Sequence, residues 1–399
     1  MKKRIMLFTI TSIILVGCQD VNSSFSSENE NNSVVSLSEF PPGETSLEQE
    51  TTSEVIISEN TTSETPSLTS EQSTSEKIKL QENYTNPRFT NKEFADPTGV
   101  YDELTNTYWL FATGGRVLKS FDMVNWYSYG LAFNPLPNWG TPGAGLWAPD
   151  ITKIADKYVM YYSLSVWGDS NPGIGVAYAY SPEGPWIDNG ELFRSNSIGV
   201  NNSIDAHAFV AQDGKVYLVW GSMRGNYIVE LTADGLGFKA GSINAARQEK
   251  IRVAGLDTSI GWTVDTYEGA YVTWNNGYYY LMLSKGTCCQ GVDSSYNVVV
   301  GRSENPTGPF LDKNGFDMKG RDRGHVMLKG NENFFGPGHH TLIKDREGDY
   351  WMYYHAFTST SGNNRVLMMD KLLWDNEGWP YINKLEPSHT QQAGPIYIK

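Results

Sequence analysis

The sequence predicts an all-β fold, a five-bladed β-propeller, preceded by a disordered stalk. One short Tyr-rich strand pattern recurs five times in the C-terminal four-fifths of the chain, and equivalent tyrosines are 50 to 71 residues apart. Turn-forming residues precede each copy, and the apolar spacing typical of amphipathic helices is almost absent. Repeats of this length suit four-stranded blades with variable loops, arranged around a channel.

The recurring strand is rich in aromatic and β-branched residues, which a pleated and half-buried surface favours. Each copy ends in a small polar residue or a histidine. The five copies are marked by Tyr108, Tyr158, Tyr217, Tyr279 and Tyr350. A pair of β-sandwiches is the alternative fold, but it would not explain five equivalent units.

The N-terminal segment 1–18 has the order of an export signal, with basic residues before the apolar run from Ile5 to Val16. Its end, Leu15-Val16-Gly17-Cys18, resembles a bacterial lipobox. That resemblance implies lipid attachment to Cys18 and anchoring of an extracellular protein to the outer face of the cell membrane. The alternative is an ordinary cleaved signal in which this cysteine is incidental.

Segment 19–84 is rich in Ser, Thr and acidic residues and lacks Trp. Such a composition cannot bury enough apolar surface to offset its ordering entropy, which predicts a disordered linker before a propeller domain at 85–399. The whole chain carries 45 acidic against 31 basic side chains, a net charge of −14. Nucleic-acid binding is therefore not expected. We expect the protein to be a monomer that contacts the membrane only through its lipid.

Each repeat has an acidic residue or a histidine 8 to 12 residues before its marker tyrosine. These residues are Asp96, Asp150, Asp205, Glu268 and His339. If they begin the innermost strands, they surround one mouth of the channel. Like charges held together raise one another's pKa values, and two carboxyl groups with different pKa values are what glycoside hydrolysis requires. The alternative for the two aspartates that precede or follow a proline is a turn-capping role.

The folded part, over about residues 90–380, resembles glycoside hydrolase family 43, and within it the endo-α-1,5-arabinanases. The resemblance depends on the order and spacing of several short motifs. They are Ala95-Asp96-Pro97-Thr98, Leu146-Trp147-Ala148-Pro149-Asp150-Ile151, Ser203-Ile204-Asp205, Tyr267-Glu268-Gly269, Cys288-Cys289-Gln290-Gly291 and Asn297-Val298-Val299-Val300-Gly301-Arg302-Ser303.

This resemblance implies that Asp96 is the general base that activates water and Glu268 the general acid. Asp205 would be a third acid that raises the pKa of Glu268 and orients it. Enzymes of this kind invert the anomeric centre, with base and acid roughly 6.5 to 9.5 Å apart. The resemblance further implies that His339 binds a calcium ion, largely through waters.

Substrate contacts are expected from aromatic faces, on which sugar C–H surfaces stack, and from nearby polar groups. The candidates are Trp147, Asp150, Ser165, Trp167 and Ser222. The alternative for the two tryptophans is a place in the core between blades.

The adjacent Cys288 and Cys289 could form a vicinal disulfide or remain two buried thiols. No paired Cys or His spacing of the zinc-site type occurs in the sequence, and no Gly-rich phosphate loop opens a helix. Neither zinc nor a nucleotide cofactor is therefore expected.

The sequence thus predicts an inverting glycosidase that cleaves α-1,5-L-arabinofuranosyl linkages of arabinan, a plant cell-wall polysaccharide, with endo action. An exo-acting arabinofuranosidase or β-xylosidase of the same family is the first alternative. The loops that would decide between endo and exo action are 131–146, 285–297 and 357–365. A non-catalytic glycan-binding lipoprotein is the second alternative. It is disfavoured because a binding module gains little from the three repelling acids Asp96, Asp205 and Glu268.

Overall fold

A computed structural model of the protein describes residues 78–89, 92–257 and 266–398. The predicted export signal, the lipid attachment at Cys18 and most of the predicted linker lie outside these ranges. Within them, no helix is both long and apolar enough to cross a membrane.

The predicted five-bladed propeller is confirmed. Five four-stranded antiparallel sheets follow one another along the chain, each in simple up-and-down order. The terminal strand β1 (Lys79–Tyr84) precedes them. Blade 1 consists of β2 (Thr98–Asp102), β3 (Thr107–Ala112), β4 (Arg116–Ser120) and β5 (Trp126–Leu131). Blade 2 consists of β6 (Gly145–Ile154), β7 (Lys157–Ser165), β8 (Gly173–Ala179) and β9 (Ile187–Arg194). Blade 3 consists of β10 (His207–Val210), β11 (Val216–Trp220), β12 (Asn226–Glu230) and β13 (Ile251–Ala254).

Blade 4 consists of β14 (Tyr267–Asn275), β15 (Tyr278–Lys285), β16 (Asn297–Ser303) and β17 (His325–Lys329). Blade 5 consists of β18 (Phe335–Lys344), β19 (Tyr350–Phe357), β20 (Val366–Trp374) and β21 (Pro380–Ile382), and β22 (Gln392–Ile398) follows it. The short helices are α1 (Ser195–Ile198) and α2 (Ile243–Glu249). The first strands of successive blades contact one another, and β18 contacts β2, which closes the ring.

The recurring Tyr-rich strand is the second strand of every blade, namely β3, β7, β11, β15 and β19. Neighbouring blades cover both of its faces, so all six residues of β3 are buried. Five apolar clusters fill the five junctions between consecutive blades. The contact of Phe193 with Trp220, whose ring centroids are 5.0 Å apart, lies at the junction of blades 2 and 3. Burial of these aromatic faces is the main stabilising contribution of the repeat.

Side chains at the ends of four of the five second strands join a blade to the next one around the channel. Each accepts a hydrogen bond from a backbone N–H in the first strand, or just before it, of the following blade. These bonds run from Ala148 to Thr113 Oγ1 (3.0 Å), from Asp205 to Ser163 Oγ (3.1 Å), from His339 to Ser284 Oγ (2.7 Å) and from Asp96 to His355 Nδ1 (3.1 Å). The four donor residues all have a positive φ, between 38° and 57°. The small polar residues that end the repeats therefore have a structural function.

This set of bonds corrects the predicted equivalence of the five polar positions. Ala148, not Asp150, occupies in blade 2 the place that Asp96 occupies in blade 1. In blade 4 the equivalent residue is Gly269, with φ 54°, so Glu268 comes one residue earlier. The sequence comparison missed this shift because it matched carboxylates to carboxylates.

Asp150 joins three blades by hydrogen bonds. Its Oδ1 contacts His207 Nδ1 at 2.9 Å and accepts from Thr98 Oγ1 at 3.3 Å, while its Oδ2 accepts from the backbone N–H of Ala208 at 2.9 Å. The carboxylate is buried, so these partners replace the water that it would bind in the unfolded chain.

The predicted linker boundary at residue 84 is wrong, because β1 forms an antiparallel pair with β22. Tyr84 at its end is buried in the cluster between blades 5 and 1. Beyond it, the Asn86 side chain donates to Met369 O at 2.9 Å and accepts from Met369 N at 3.0 Å. The sequence did not reveal this strand because it has one buried aromatic residue and its partner is more than 300 residues away.

Replacing Asp150 with Ala should lower the free energy of unfolding by about 3 kcal/mol, because it leaves buried donors from two neighbouring blades without an acceptor. Denaturant unfolding followed by Trp fluorescence measures this. The matched control is Asp213→Ala, an exposed turn residue whose loss should change stability little. Equal stability of the two variants would contradict the role given to Asp150.

Candidate active site

Asp96, Asp205, Glu268 and His339 meet in one cavity of about 530 Å³. Asp96 and Asp205 come just before the first strands of blades 1 and 3, and Glu268 is the second residue of β14. The start of an innermost strand lies at the channel mouth, so these side chains converge although they are far apart in sequence. All three carboxyl groups are buried. The structure thus brings together the predicted catalytic acids.

Asp96 is surrounded by groups that favour its ionised form. Arg365 donates to both carboxylate oxygens, at 3.0 and 3.1 Å, and Thr113 donates to Oδ2 at 2.5 Å. The rings of His355 and His339 lie 3.2 and 3.5 Å from Oδ1. Burial alone would raise the pKa of Asp96, but Arg365 and then the two histidines hold this pKa well below its usual range. Asp96 is therefore ionised at neutral pH and can accept a proton.

Glu268 is held at both oxygens by hydroxyl groups. Ser222 donates to Oε1 and Tyr296 donates to Oε2. Burial raises the pKa of Glu268, and the negative charge of Asp96 raises it further, although the two hydroxyl groups and Arg365 oppose this rise. The environment of Glu268 thus favours the protonated form more than that of Asp96 does, as a general acid requires.

Asp205 is a buried acid whose ionisation is opposed by both of the other acids. Burial raises its pKa well above the usual range, and the charges of Glu268 and Asp96 raise it further. One oxygen accepts from the backbone N–H of Gly269 at 3.3 Å, directly after Glu268. Asp205 and Glu268 therefore resist holding two negative charges together, and a proton on either of them is stabilised by the site.

His339 faces two of the acids. Its Nδ1 lies 3.5 Å from Asp96 Oδ1 and 3.9 Å from Asp205 Oδ2. Burial lowers its pKa to about 4, despite the opposing effect of Asp96. The ring is therefore neutral at physiological pH, the form in which histidine binds metals.

Three of the five predicted substrate contacts line the cavity, namely Trp147, Ser165 and Trp167. The two indole rings pack with centroids 5.6 Å apart, and Trp167 is 71% exposed. An aromatic side chain so exposed beside a cavity is available to a sugar face. Neither tryptophan belongs to the apolar clusters that join the blades.

Asp150 and Ser222 do not line the cavity, which corrects two predicted substrate contacts. The oxygens of Asp150 instead form hydrogen bonds with groups of the neighbouring blades, as described above. Ser222 is fully buried, and its hydroxyl accepts from Asn202 Nδ2 at 2.8 Å while donating to Glu268. Ser222 thus contacts Glu268 and not the cavity.

Sequence reasoning missed four residues that contact Asp96 or Glu268: Thr113, Tyr296, His355 and Arg365. A signal existed for Thr113 and His355, because they end the repeated strands as Ser222 does. Tyr296 and Arg365 follow long loops of blades 4 and 5, where no periodic pattern marks them. The structure also joins Cys288 to Cys289 by a disulfide, and both line the cavity.

The family of this chain is shown by a comparison with known proteins. The sequence profile of Glycosyl hydrolases family 43 matches residues 84–380. This chain belongs to glycosyl hydrolase family 43. The family resemblance predicted from the motifs is thereby confirmed, and the protein is a glycosidase.

Similar proteins carry the names of enzymes that act on arabinose linkages. The extracellular exo-α-(1→5)-L-arabinofuranosidase of Cellvibrio japonicus is 33% identical over 300 residues, which cover 70% of this chain and 84% of the relative. The extracellular endo-α-(1→5)-L-arabinanase 1 of Bacillus subtilis is 33% identical over 273 residues, which cover 67% and 79%. The solved structure of Cellvibrio cellulosa α-L-arabinanase complexed with arabinohexaose matches with a TM-score of 0.65 at 28% identity, over 74% of this chain and 96% of that one.

Replacing Arg365 with Gln should move the acidic limb of the kcat/KM profile for glycoside hydrolysis to higher pH. If Asp96 is the base, it is active only above its pKa, and loss of the guanidinium lets that pKa rise. Arg247→Gln, which removes an exposed arginine from α2, is the control and should leave the profile unchanged. An acidic limb at the same pH in Arg365→Gln would show that Arg365 does not set the ionisation of Asp96.

Proposed function

We propose that this family 43 enzyme hydrolyses α-1,5-L-arabinofuranosyl linkages of arabinan with inversion, and that it acts within the chain. The observation that carries the proposal is the contrast between two buried carboxyl groups of one cavity. Arg365 keeps Asp96 ionised, while burial favours a proton on Glu268. An inverting glycosidase needs one carboxylate of each kind.

In the proposed reaction, Asp96 removes a proton from a water molecule as the water oxygen attacks the anomeric carbon. The bond from that carbon to the leaving oxygen breaks, and Glu268 gives this oxygen its proton. Asp96 ends protonated and Glu268 ionised, and exchange with solvent restores both. Asp205 and Glu268 resist carrying two negative charges in one buried site, which favours a proton on this pair before the reaction. Ser222 and Tyr296 hold the acid in place and stabilise the charge it acquires.

Support for arabinan as the substrate comes from the relatives, whose names specify α-1,5-linked arabinose polymers, and from a related structure that holds arabinohexaose. Trp147 and Trp167 provide an aromatic wall suited to furanose rings. The exo-acting relative has the same identity to this chain as the endo-acting one, so an exo-acting arabinofuranosidase is the second candidate.

The proposal places the enzyme outside the cell, as two relatives are named extracellular. We also propose that the protein is anchored to the membrane through a lipid on Cys18 and that it is a monomer. A tethered arabinanase would release oligosaccharides close to the cell surface, where they can be taken up.

A calcium ion at His339 is also part of the proposal. The neutral imidazole suits a metal ligand, but calcium prefers six to eight oxygen ligands. Within residues 78–89, 92–257 and 266–398 there is no cluster of three His, Cys, Asp or Glu side chains able to hold a metal ion. His339 would therefore hold the ion mainly through waters, and the ion would add positive charge near the acids. Exhaustive chelation should lower the hydrolysis rate, and an unchanged rate in metal-free protein would exclude the site.

Glu268→Gln should lower kcat on linear α-1,5-arabinan by about 10³-fold, yet retain hydrolysis of aryl α-L-arabinofuranosides whose leaving group needs no proton. Asp96→Asn should lose both activities, because water activation is needed for either substrate. Equal losses on both substrates in Glu268→Gln would contradict its assignment as the acid.

The products of the wild-type enzyme on linear arabinan test the mode of action. Endo action releases mixed oligosaccharides early in the reaction, measured by anion-exchange chromatography. Release of arabinose alone would favour the exo-acting candidate. Absence of any product from arabinan would contradict the proposed substrate.

A further inference from the structure

The disulfide between Cys288 and Cys289 lies in the wall of the active-site cavity. It belongs to the loop between β15 and β16, which is also the loop that ends in Tyr296. Cys288 is buried and Cys289 is half-buried, and both line the cavity with Glu268 and Tyr296. The catalytic steps described above make no use of these two sulfurs.

A disulfide at this place has the surface properties of a sugar contact. Its sulfur atoms are polarizable, and oxidation has removed the S–H donors that two thiols would present. Trp147 and Trp167 from blade 2 line the same cavity, on the other side of blade 3 from this loop. Sugar C–H groups favour such apolar surfaces, while the acids interact with the reacting oxygen atoms.

The same loop connects the disulfide to the general acid. Thr287, the residue before Cys288, accepts at its carbonyl from the N–H of Ser295 at 3.0 Å and from the N–H of Tyr296 at 3.2 Å. The hydroxyl of Tyr296 in turn donates to Glu268. The covalent ring between adjacent cysteines restricts the backbone directly after Thr287, so it restricts the residue on which the Tyr296 backbone depends.

Packing from blade 5 holds the rest of the loop and the tyrosine ring. A Cβ at Gly338 would lie 2.7 Å from the ring of Tyr296, so the ring packs directly on that backbone. A Cβ at Gly291, in the loop itself, would lie 3.1 Å from Gly362 O. Tyr296 has little space to adjust if Thr287 moves, and a shift there should reach Glu268.

We propose that the Cys288–Cys289 disulfide is a sugar-contacting wall of the cavity and, through Thr287 and Tyr296, a positioning element for the general acid. The arabinosyl identity of the sugar rests on the proposed function. Reduction by a dithiol transfers two electrons and two protons to the sulfurs, yields two thiols and converts the reagent to its own disulfide. The reduced loop should bind sugar less well and hold Tyr296 less firmly.

The test compares the oxidised and dithiothreitol-reduced full-length enzyme, with reduction verified by the mass increase after alkylation of a sample. We expect reduction to raise KM for linear arabinan about tenfold, as loss of a good apolar contact does, and to lower kcat. Hydrogen exchange at the Tyr296 amide should become faster in the reduced enzyme. Reoxidation should restore all three quantities, which excludes irreversible unfolding.

Cys288→Ala/Cys289→Ala is the matched control, since it lacks the ring but retains Cys18. Its kinetics should resemble those of the reduced enzyme and should not respond to dithiothreitol. Tyr296→Phe should reproduce the loss in kcat with a smaller change in KM, which separates positioning of the acid from sugar contact.

Two results would overturn the inference: unchanged KM and kcat in the fully reduced enzyme, or unchanged exchange at the Tyr296 amide. Failure of the oxidised enzyme to hydrolyse arabinan would instead contradict the proposed function. In that case the exchange measurement alone still decides whether the disulfide holds the Tyr296 loop.

Discussion

The site depends on the burial of three carboxyl groups, one of which is paired with Arg365. Burial penalises every negative charge, and each carboxylate penalises the next. Arg365 contacts both oxygens of Asp96 and neither Asp205 nor Glu268 accepts a hydrogen bond from it, so its charge favours one acid over the others. This asymmetry separates the pKa values of groups that are chemically similar, as the proposed roles of base and acid require.

The propeller makes this arrangement possible because its first strands begin side by side at one end of the channel. Side chains at the ends of the second strands hold the neighbouring backbones in a positive-φ conformation, which places Asp96 and Asp205 at the mouth. Blade 4 departs from the pattern. There Ser222 donates to Glu268, and Gly269 N–H donates to Asp205 instead. At blade 4 the side chain that elsewhere accepts from the backbone of the next blade donates to the carboxyl group of Glu268.

The fold, the family and the convergence of the acids could be predicted because the repeat is strong and each acid stands close to a repeated strand. The register within the blades could not be predicted from the sequence. Asp150 looks like an equivalent of Asp96 in sequence, but the backbone geometry gives that place to Ala148. The partners Arg365 and Tyr296 lie after irregular loops, where contacts depend on how blades 4 and 5 pack rather than on local sequence. The strand β1 was missed for the same reason, since its partner is at the other end of the chain.

In the proposed mechanism, Asp96 acts on water and not on the sugar itself. The most direct test is ¹H NMR of the first sugar released, recorded before mutarotation, during hydrolysis of an α-L-arabinofuranosyl substrate. Direct attack by water predicts that the new reducing end appears first as the β-anomer. Initial appearance of the α-anomer would mean two successive displacements through a covalent intermediate, and it would contradict the role assigned to Asp96.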